Sequence, residues 1–343
     1  MKTRTNTFKK GILKKIFVKI CRILGYEIID QNSLYIPTIN KFANDELSNI
    51  GKKSISLPLG EVKITRSIKS IDIIIKTCTS VNLVSQSKER IFEKTKSEYT
   101  FRCINSIIKN VKFAQNSIPN VSFKIFIIDH NSNEADLNIM KKKLIISKIN
   151  YEIINLNVSD FKNTINKINK NNEKVKDNMF ATMSSIYKSF LLAREKSNDL
   201  IYFVEDDYIH HEVALSEMLF TFERIASQIK KELIICPSDY PFLYNKIDQT
   251  EIYLGNKKHW RKTEETLLTF MTSKKLLLDY WESFETMCQF EHSPFEKPLH
   301  KIYENELCIS PIPSLAMHCT NINSAFGLPP NVDWKKLWDE NKN

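Results

Sequence analysis

Short, β-branched apolar runs alternate along the chain with longer segments whose apolar residues recur at helical spacing. The short runs predict buried strands, since continuous apolarity is typical of a sheet covered on both faces. The longer segments predict helices, because apolar residues at i, i+3 and i+4 lie on one helix face. The predicted strands cover 71–77, 123–128, 150–156 and 200–204, and the predicted helices cover 99–111, 135–144 and 178–195.

This alternation predicts an α/β protein with a doubly wound, mostly parallel sheet flanked by helices. The second half is less regular. We expect Thr272 or Ser273 to cap a helix that runs to about 287, and Ser293 and Pro294 to begin a helix that runs to 303. Further strands are predicted at 233–236 and 267–271, a helix at 212–229, and an extended, proline-rich tail around 311–313 and 329–330.

The N-terminal segment predicts a basic amphipathic helix. Apolar residues repeat at i, i+4 spacing (Phe8, Ile12, Ile16 and Ile20), and lysines occupy the other face. Residues 1–25 carry eight Lys or Arg and no acid, so the remaining chain contributes only two of the ten net positive charges. The helix either lies on an anionic membrane surface or packs on its own domain with a solvated basic face, and the charge density favours the membrane.

Charge and composition also argue against several classes of protein. A basic N-terminus on a nearly neutral body argues against nucleic acid as a partner. No apolar run is long enough to span a membrane, and lysines interrupt any signal-peptide core. We therefore expect a cytoplasmic protein, peripheral on the inner face of the cell membrane. The predicted division is 1–67 for helix and connector, 68–230 for the regular α/β half, and 231–343 for the second half and tail.

The positions of the cysteines and glycines argue against several kinds of binding site. The seven cysteines form no CxxC pair, which favours a reducing compartment over a disulfide or zinc framework. Cys78, Cys103, Cys236 and Cys308 lie in apolar surroundings and are predicted to be buried. The six glycines form no GxG, which counts against a dinucleotide fingerprint or a Walker loop.

The most distinctive chemistry follows the fourth predicted strand, which ends in Glu205, Asp206 and Asp207. Adjacent carboxylates at the end of a buried strand repel one another and resist desolvation unless a cation lies among them. Mg²⁺ and Mn²⁺ bind one or two carboxylates together with substrate phosphates. The acids therefore indicate either a metal–diphosphate site at the edge where open α/β sheets bind ligands, or a solvated turn before the next helix.

The order of these elements resembles that of the GT-A glycosyltransferases, over roughly residues 70–320. The resemblance depends on a first strand that ends in polar residues, a second that ends in Asp129, and a fourth that ends in a DXD-type acidic motif. The segments 202–208, which contains Glu-Asp-Asp, and 233–239 are most similar to the N-acetylglucosaminyltransferase I type.

The resemblance implies a metal-dependent hexosyl- or N-acetylhexosaminyltransferase. Such an enzyme moves a sugar from a nucleotide-diphosphate sugar to a glycan or lipid-linked acceptor, here in bacterial surface polysaccharide synthesis. The resemblance implies that 68–230 is the nucleotide-sugar-binding half and that 231–343 is the acceptor-binding half and tail. It implies that Asp207 binds Mn²⁺ or Mg²⁺, and that Glu205 and Asp206 contact ribose, sugar or metal-bound water.

The resemblance also implies roles for four other side chains. Asp129 would contact the base or ribose, although an Asx-turn after a strand explains it equally simply. Thr77 and Thr79 follow the first strand, where nucleotide contacts are expected. His318 lies where some GT-A enzymes supply a C-terminal metal ligand, although a histidine beside apolar residues also serves structural roles.

An inverting transferase needs a carboxylate that takes the acceptor proton. The family has this base near the start of a late helix, so Glu296 is the first candidate and Glu291 the second, although the family expects Asp there. Asp239 is a third candidate, better suited to acceptor or sugar binding. Each of the three also has the simpler interpretation of a surface acid.

Two histidine-containing segments complete the candidates. Trp260 and Arg261 offer an aromatic face and a cation, which suit sugar stacking or a phosphate clamp as well as ordinary packing. His210 and His211 follow the acids and are expected to face solvent at a helix start.

Two other functions stay open. A sugar nucleotidyltransferase would use a related sheet, but it should have a glycine-rich, basic loop after the first strand, and the stretch after Thr77 has no glycine. A non-catalytic carbohydrate-binding protein would have a degenerate site, whereas the acids at 205–207 and Asp129 are intact.

Overall fold

The computed structural model describes residues 12–26, 63–80, 90–169, 172–245, 247 and 249–342, with the backbone alone for 12–15. Its contacts divide the chain into two units, Met1–Val62 and Lys63–Asn343. In the first unit, helix α1 (Ile12–Ile23) matches part of the predicted amphipathic segment, and most of the predicted connector lies outside the described residues. The predicted division at 230/231 stays a prediction.

The second unit alternates strands and helices as predicted. The helices are α2 (Lys96–Ser117), α3 (Glu134–Ser147), α4 (Asp177–Lys196), α5 (Ala214–Ile229), α6 (Lys274–Asp279), α7 (Trp281–Gln289), α8 (Lys297–Tyr303) and α9 (Trp334–Glu340). The strands are β1 (Ser70–Thr77), β2 (Ser122–Asp129), β3 (Asn150–Asn155), β4 (Leu200–Glu205), β5 (Tyr208–His210), β6 (Ile234–Ile235), β7 (Ile252–Leu254), β8 (His259–Lys262), β9 (Phe270–Ser273), β10 (Cys308–Ile312) and β11 (Ala316–His318).

Within the described residues, nine strands form one sheet in the order β3-β2-β1-β4-β9-β6-β10-β8-β7. All of these strands except β8 and β9 run in one direction, which confirms the mostly parallel α/β sheet. The chain moves outward from β1 to β3 and then returns to place β4 on the other side of β1. This reversal creates a topological switch point between β1 and β4, where open sheets bind ligands.

Helices cover both faces of the sheet, which explains the continuous apolarity of the central strands. Ile73 and Ile75 of β1 pack in a cluster with buried residues of α2, α3 and α5. Ile74, on the opposite face, packs in a cluster with buried residues of α4, α7 and α8. Consecutive side chains of β1 therefore point alternately into the two cores, and the strand is held between two layers of helices.

The structure corrects the sequence interpretation in four places. Ser273 does cap a helix, accepting a hydrogen bond from the Leu276 N–H, but the predicted helix is divided into α6 and α7. The hairpin β7–β8 was not predicted, because its short strands show no clear apolar alternation. The tail that was expected to be extended contains β10, β11 and helix α9.

The fourth correction concerns two polar side chains near the acids. His210 does not face solvent: it is 1% exposed and lies in β5, which pairs with β11 before α5 begins. Cys78 is only partly buried, because it follows the carboxyl end of β1 and lines a cavity there. Cys103, Cys236 and Cys308 are buried, as predicted.

Candidate active site

A cavity of about 480 Å³ opens at the carboxyl ends of β1 and β4, at the switch point of the sheet. It is lined by the end of β1, the start of α2, the first turns of α4 and the acidic segment that follows β4. The sequence-predicted residues Thr77, Glu205, Asp206 and Asp207 all line it.

Glu205 and Asp206 each have a cationic partner. Lys76 is the β1 residue in register with Glu205, and its Nζ lies 3.6 Å from Glu205 Oε1. Asp206 is 7% exposed and accepts hydrogen bonds from Lys96 Nζ and, at 2.7 Å, from Thr100 Oγ1. Because Lys96 and Thr100 belong to α2, Asp206 ties the end of β4 to the start of that helix.

Asp207 lies between a guanidinium and an imidazole. Its Oδ2 is 3.1 Å from Arg90 Nη2 and 3.5 Å from His318 Nε2. Burial alone would raise the pKa of Asp207, but His318, Lys96 and Arg90 together hold the pKa of this carboxyl well below its usual range. Asp207 is therefore a buried carboxylate that stays ionised.

A small antiparallel ladder brings His318 to this position. β5 follows the acids directly and pairs with β11, so that Tyr208 lies opposite His318 and their rings stack at 4.6 Å. His318 Nδ1 donates a hydrogen bond to the carbonyl oxygen of Phe326 at 2.9 Å, and its Nε2 faces Asp207. Burial alone would lower the pKa of His318, but the Asp207 carboxylate raises it.

Asp207 and His318 suit a divalent cation whose coordination is completed by oxygen atoms of a bound ligand. A metal-bound histidine usually donates its other ring N–H to a carbonyl, as His318 does to Phe326. Mg²⁺ and related ions are often held by one or two side chains plus phosphates and water. Within the described residues, no group of three or more His, Cys, Asp or Glu forms a preassembled metal cage, so ligand oxygens would have to complete the site.

The charge of the cavity lining bears on what it can bind. Its described residues include three cations and four carboxylates: Lys76, Arg90, Lys96, Asp177, Glu205, Asp206 and Asp207. The formal balance is one negative charge, which opposes the approach of a diphosphate by itself. A divalent cation reverses this balance and makes the same cavity attractive to a diphosphate.

Asp129 and Thr79 lie beside this cavity, and their polar atoms are engaged by the chain itself. Asp129 Oδ1 accepts hydrogen bonds from Thr77 Oγ1, at 2.6 Å, and from Ser132 Oγ, and its Oδ2 accepts one from the Ser132 N–H. Thr79 accepts a hydrogen bond from the Asn133 N–H at 3.2 Å. These bonds join the turn after β2 to the end of β1, so Asp129 makes the Asx-turn that its sequence also allowed.

Glu296 is electrostatically coupled to the cavity, although it lies in a different part of the chain. Glu296 is the N-cap residue of α8, and its side chain makes no capping hydrogen bond to that helix. Burial, followed by the Glu205 charge, raises the pKa of Glu296 to about 7, and Lys76 and His318 oppose the shift. Glu291 is partly buried in the segment between α7 and α8, and within the part of the chain that the structure describes its carboxyl forms no ion pair with a cavity residue.

Asp239 and Arg261 are brought together elsewhere, whereas Trp260 packs in the core. Asp239 is 1% exposed, and its Oδ1 accepts a hydrogen bond from Arg261 Nη2 at 2.7 Å. Arg261 lies over the ring of Tyr244, 4.3 Å from its centroid, and lines a second cavity of about 800 Å³. Trp260 is fully buried in the larger core cluster, so its ring offers no face to a ligand in this structure.

The sequence interpretation missed the three cations of the cavity lining: Lys76 at the end of β1, and Arg90 and Lys96 before the apolar repeat of α2. Arg90 and Lys96 are nearly buried, with side chains 8% and 10% exposed, and both contact the acids, as Lys76 does. Isolated basic residues in a segment without apolar periodicity carry no signal for such a role. The acids themselves were the available clue, because buried carboxylates require cationic partners.

When the chain is compared with known proteins, the similarities found are to solved structures. No protein-family model matches the chain, and no curated protein matches it. An active-site mutant of LgtC is 11% identical, with a TM-score of 0.33 over 67% of this chain and 70% of that one. The bifunctional glycosyltransferase WbbM is 9% identical, with a TM-score of 0.35 over 66% of this chain and 35% of that one.

A third similar structure is UDP-glucose pyrophosphorylase in complex with UDP-glucose. It is 9% identical, with a TM-score of 0.37 over 80% of this chain and 97% of that one. Similarities at this level assign no activity to the chain.

Proposed function

We propose that the chain is a metal-dependent glycosyltransferase that uses a nucleotide-diphosphate sugar as donor. The observation that carries the proposal is the pairing of Asp207 with His318 in a cavity at the switch point, whose lining attracts a diphosphate after a divalent cation binds. The GT-A resemblance of the sequence is consistent with this site.

Asp207 and His318 would hold Mn²⁺ or Mg²⁺, which offsets the charge that develops on a departing diphosphate. Lys76 and Lys96 form ion pairs with Glu205 and Asp206 and hold their carboxylates at the cavity wall. Thr77 lines the cavity beside them and suits a contact with the nucleotide.

Glu296 is the proposed general base for the acceptor hydroxyl. A base works best when its pKa is near the operating pH, and burial brings the pKa of Glu296 to about 7. The carboxylate would accept the hydroxyl proton as the oxygen attacks the anomeric carbon of the donor. The acceptor, a glycan or a lipid-linked sugar, would approach from the side of α8.

We further propose that α1 binds the anionic inner surface of the membrane in bacterial surface polysaccharide synthesis. Its apolar side chains Ile16, Phe17, Ile20 and Ile23 are 49–76% exposed, and Arg22 lies in its last turn. Exposed apolar residues beside basic ones suit an interfacial helix. Within the described residues, no helix is long and apolar enough to cross a bilayer.

Incubation with a panel of nucleotide sugars, with and without Mn²⁺, tests the proposed activity. We expect Mn²⁺-dependent release of nucleoside diphosphate and transfer or hydrolysis of the sugar. Formation of nucleoside triphosphate after addition of pyrophosphate would instead identify a nucleotidyltransferase. Sugar binding without turnover would identify a non-catalytic protein.

A further inference from the structure

Arg90 is a buried cation in the cavity with more hydrogen-bond donors than partners. Its Nη2 lies 3.1 Å from Asp207 Oδ2 and its Nη1 lies 3.4 Å from the carbonyl oxygen of Cys319. Its Nε is buried and has no hydrogen-bond partner within the described structure. Arginine–carboxylate pairs are typically bidentate, with bonds of about 2.7–2.9 Å. Arg90 therefore makes a single, long contact with Asp207.

The backbone next to Arg90 is nevertheless well anchored. The Ile91 N–H donates a hydrogen bond to the carbonyl oxygen of Thr320, and the ring of Phe92 stacks on Trp338 at 3.8 Å. The Arg90 guanidinium also lies over the ring of Tyr99, 4.7 Å from its centroid. An exchange of partners therefore requires movement of the side-chain tip and leaves the fold unchanged.

Arg90 and a divalent cation compete for the same oxygen. Asp207 Oδ2 is the atom that both Arg90 Nη2 and His318 Nε2 approach. A cation held by Asp207 and His318 would lie next to the Arg90 guanidinium, and the two positive charges would repel each other. Binding of the ion therefore releases Arg90 inside a cavity that a diphosphate is to enter.

We propose that Arg90 is the counterion of Asp207 in the metal-free protein and binds the donor diphosphate once the ion occupies Asp207. This inference rests on the proposed function. The planar fork of a guanidinium matches two phosphate oxygens, and the Nε and Nη donors that lack good partners are available for them. Arg90 thus changes partner from carboxylate to phosphate.

The exchange of partners predicts that Arg90→Gln raises the affinity for Mn²⁺ and lowers the affinity for a nucleoside diphosphate. Titration with Mn²⁺ alone, followed calorimetrically and by Mn²⁺ electron paramagnetic resonance, should show tighter binding than in the wild type, because the competing cation is gone. With Mn²⁺ saturating, the tightest binder among UDP, GDP, CDP and dTDP should bind about tenfold or more weakly, because a charged hydrogen bond is lost. Arg90→Lys keeps the positive charge but lacks the planar guanidinium, so both of its affinities should lie between those of the wild type and Arg90→Gln.

Lys275→Gln is the matched control, because Lys275 forms an exposed ion pair with Asp279 on α6. It should leave both affinities unchanged. A fall of both affinities in Arg90→Gln, or an unchanged diphosphate affinity, overturns the inference. If the wild-type protein binds none of the four nucleoside diphosphates with Mn²⁺, the proposed function itself fails.

Discussion

Single residues decide the electrostatics of the candidate site. Asp206 and Asp207 are both buried, and cations from elsewhere in the chain contact each of them. The sequence predicted the acids and His318 but not Arg90 or Lys96. Carboxylates in a row are visible in a sequence, whereas their counterions, more than a hundred positions away, come together through the fold alone.

Glu296→Gln tests the proposed base. We expect kcat/KM to fall about 10²–10⁴-fold, since the amide accepts no proton. In the wild type, the rate should rise as pH increases through about 7, because burial raises the pKa of Glu296 to that value and the base must be deprotonated. The variant should lose this rise. Glu291→Gln is the control and should retain the rate; the reverse result would assign the base to Glu291.

His210 predicts a pH dependence of stability. Its ring lies between Tyr202 and Ser106, and burial lowers its pKa to about 3. The unfolded state, with an ordinary histidine pKa, binds more protons between these values, so stability is lost as pH falls below about 6.5. Between pH 7 and 5.5 this loss amounts to about 1 kcal/mol.

Urea denaturation at both pH values checks this contribution. His210→Gln, which has no titrating ring, should show a smaller difference between the two pH values than the wild type. Equal differences in the two proteins would mean that His210 is protonated in the folded state.

At the scale of elements, the regular part of the fold could be predicted and the irregular part could not. The strands β1 to β4 and helices α2 to α4 have strong periodic patterns. The structure matches their predicted bounds within three residues, except that α2 continues six residues beyond the predicted end at 111. The two-residue strand β6 lies within the predicted strand 233–236. The hairpin β7–β8 and strands β5 and β11 have three or four residues each, too few for a pattern. Pairing fixes them, as in the β5–β11 ladder that positions His318.

The β7–β8 hairpin depends on a close approach at Gly255. An added Cβ there would lie 2.2 Å from Trp260 Nε1 and 2.6 Å from Thr221 Oγ1. Because Trp260 is fully buried, its ring has no free space to move into. Gly255→Ala should therefore lower the free energy of unfolding by about 1–3 kcal/mol.

Urea denaturation measures the effect, with Leu254→Ala as the control in the same hairpin. Leu254 is 48% exposed, and its truncation should change stability by less than about 0.5 kcal/mol. A stable Gly255→Ala variant would show that the hairpin can shift away from α5.

At the scale of the whole molecule, charge is segregated by position. The N-terminal 25 residues carry eight of the 50 basic residues and no acid, and the rest of the chain is close to neutral. The candidate site lies within the second unit, at the carboxyl edge of its sheet. Binding of a surface and binding of a donor are therefore expected to be separable by deletion.

Deletion of residues 1–25 tests the membrane proposal. The full chain should sediment with vesicles that contain anionic lipid, less so at high salt, since each basic residue near such a surface contributes about 1 kcal/mol. The deletion variant should remain in the supernatant and keep its affinity for nucleotide. Unchanged sedimentation of the deletion variant, or equal binding to neutral vesicles, would contradict an electrostatic anchor.

The central claim is that Asp207 couples a divalent cation to a diphosphate. Calorimetric titration of the wild type with nucleoside diphosphates should show at least about tenfold tighter binding with Mn²⁺ than without it, a difference of about 1.4 kcal/mol. Asp207→Asn should lose that gain, whereas the exposed-site control Asp160→Asn should keep it. A nucleotide affinity that responds neither to Mn²⁺ nor to Asp207→Asn would contradict the account.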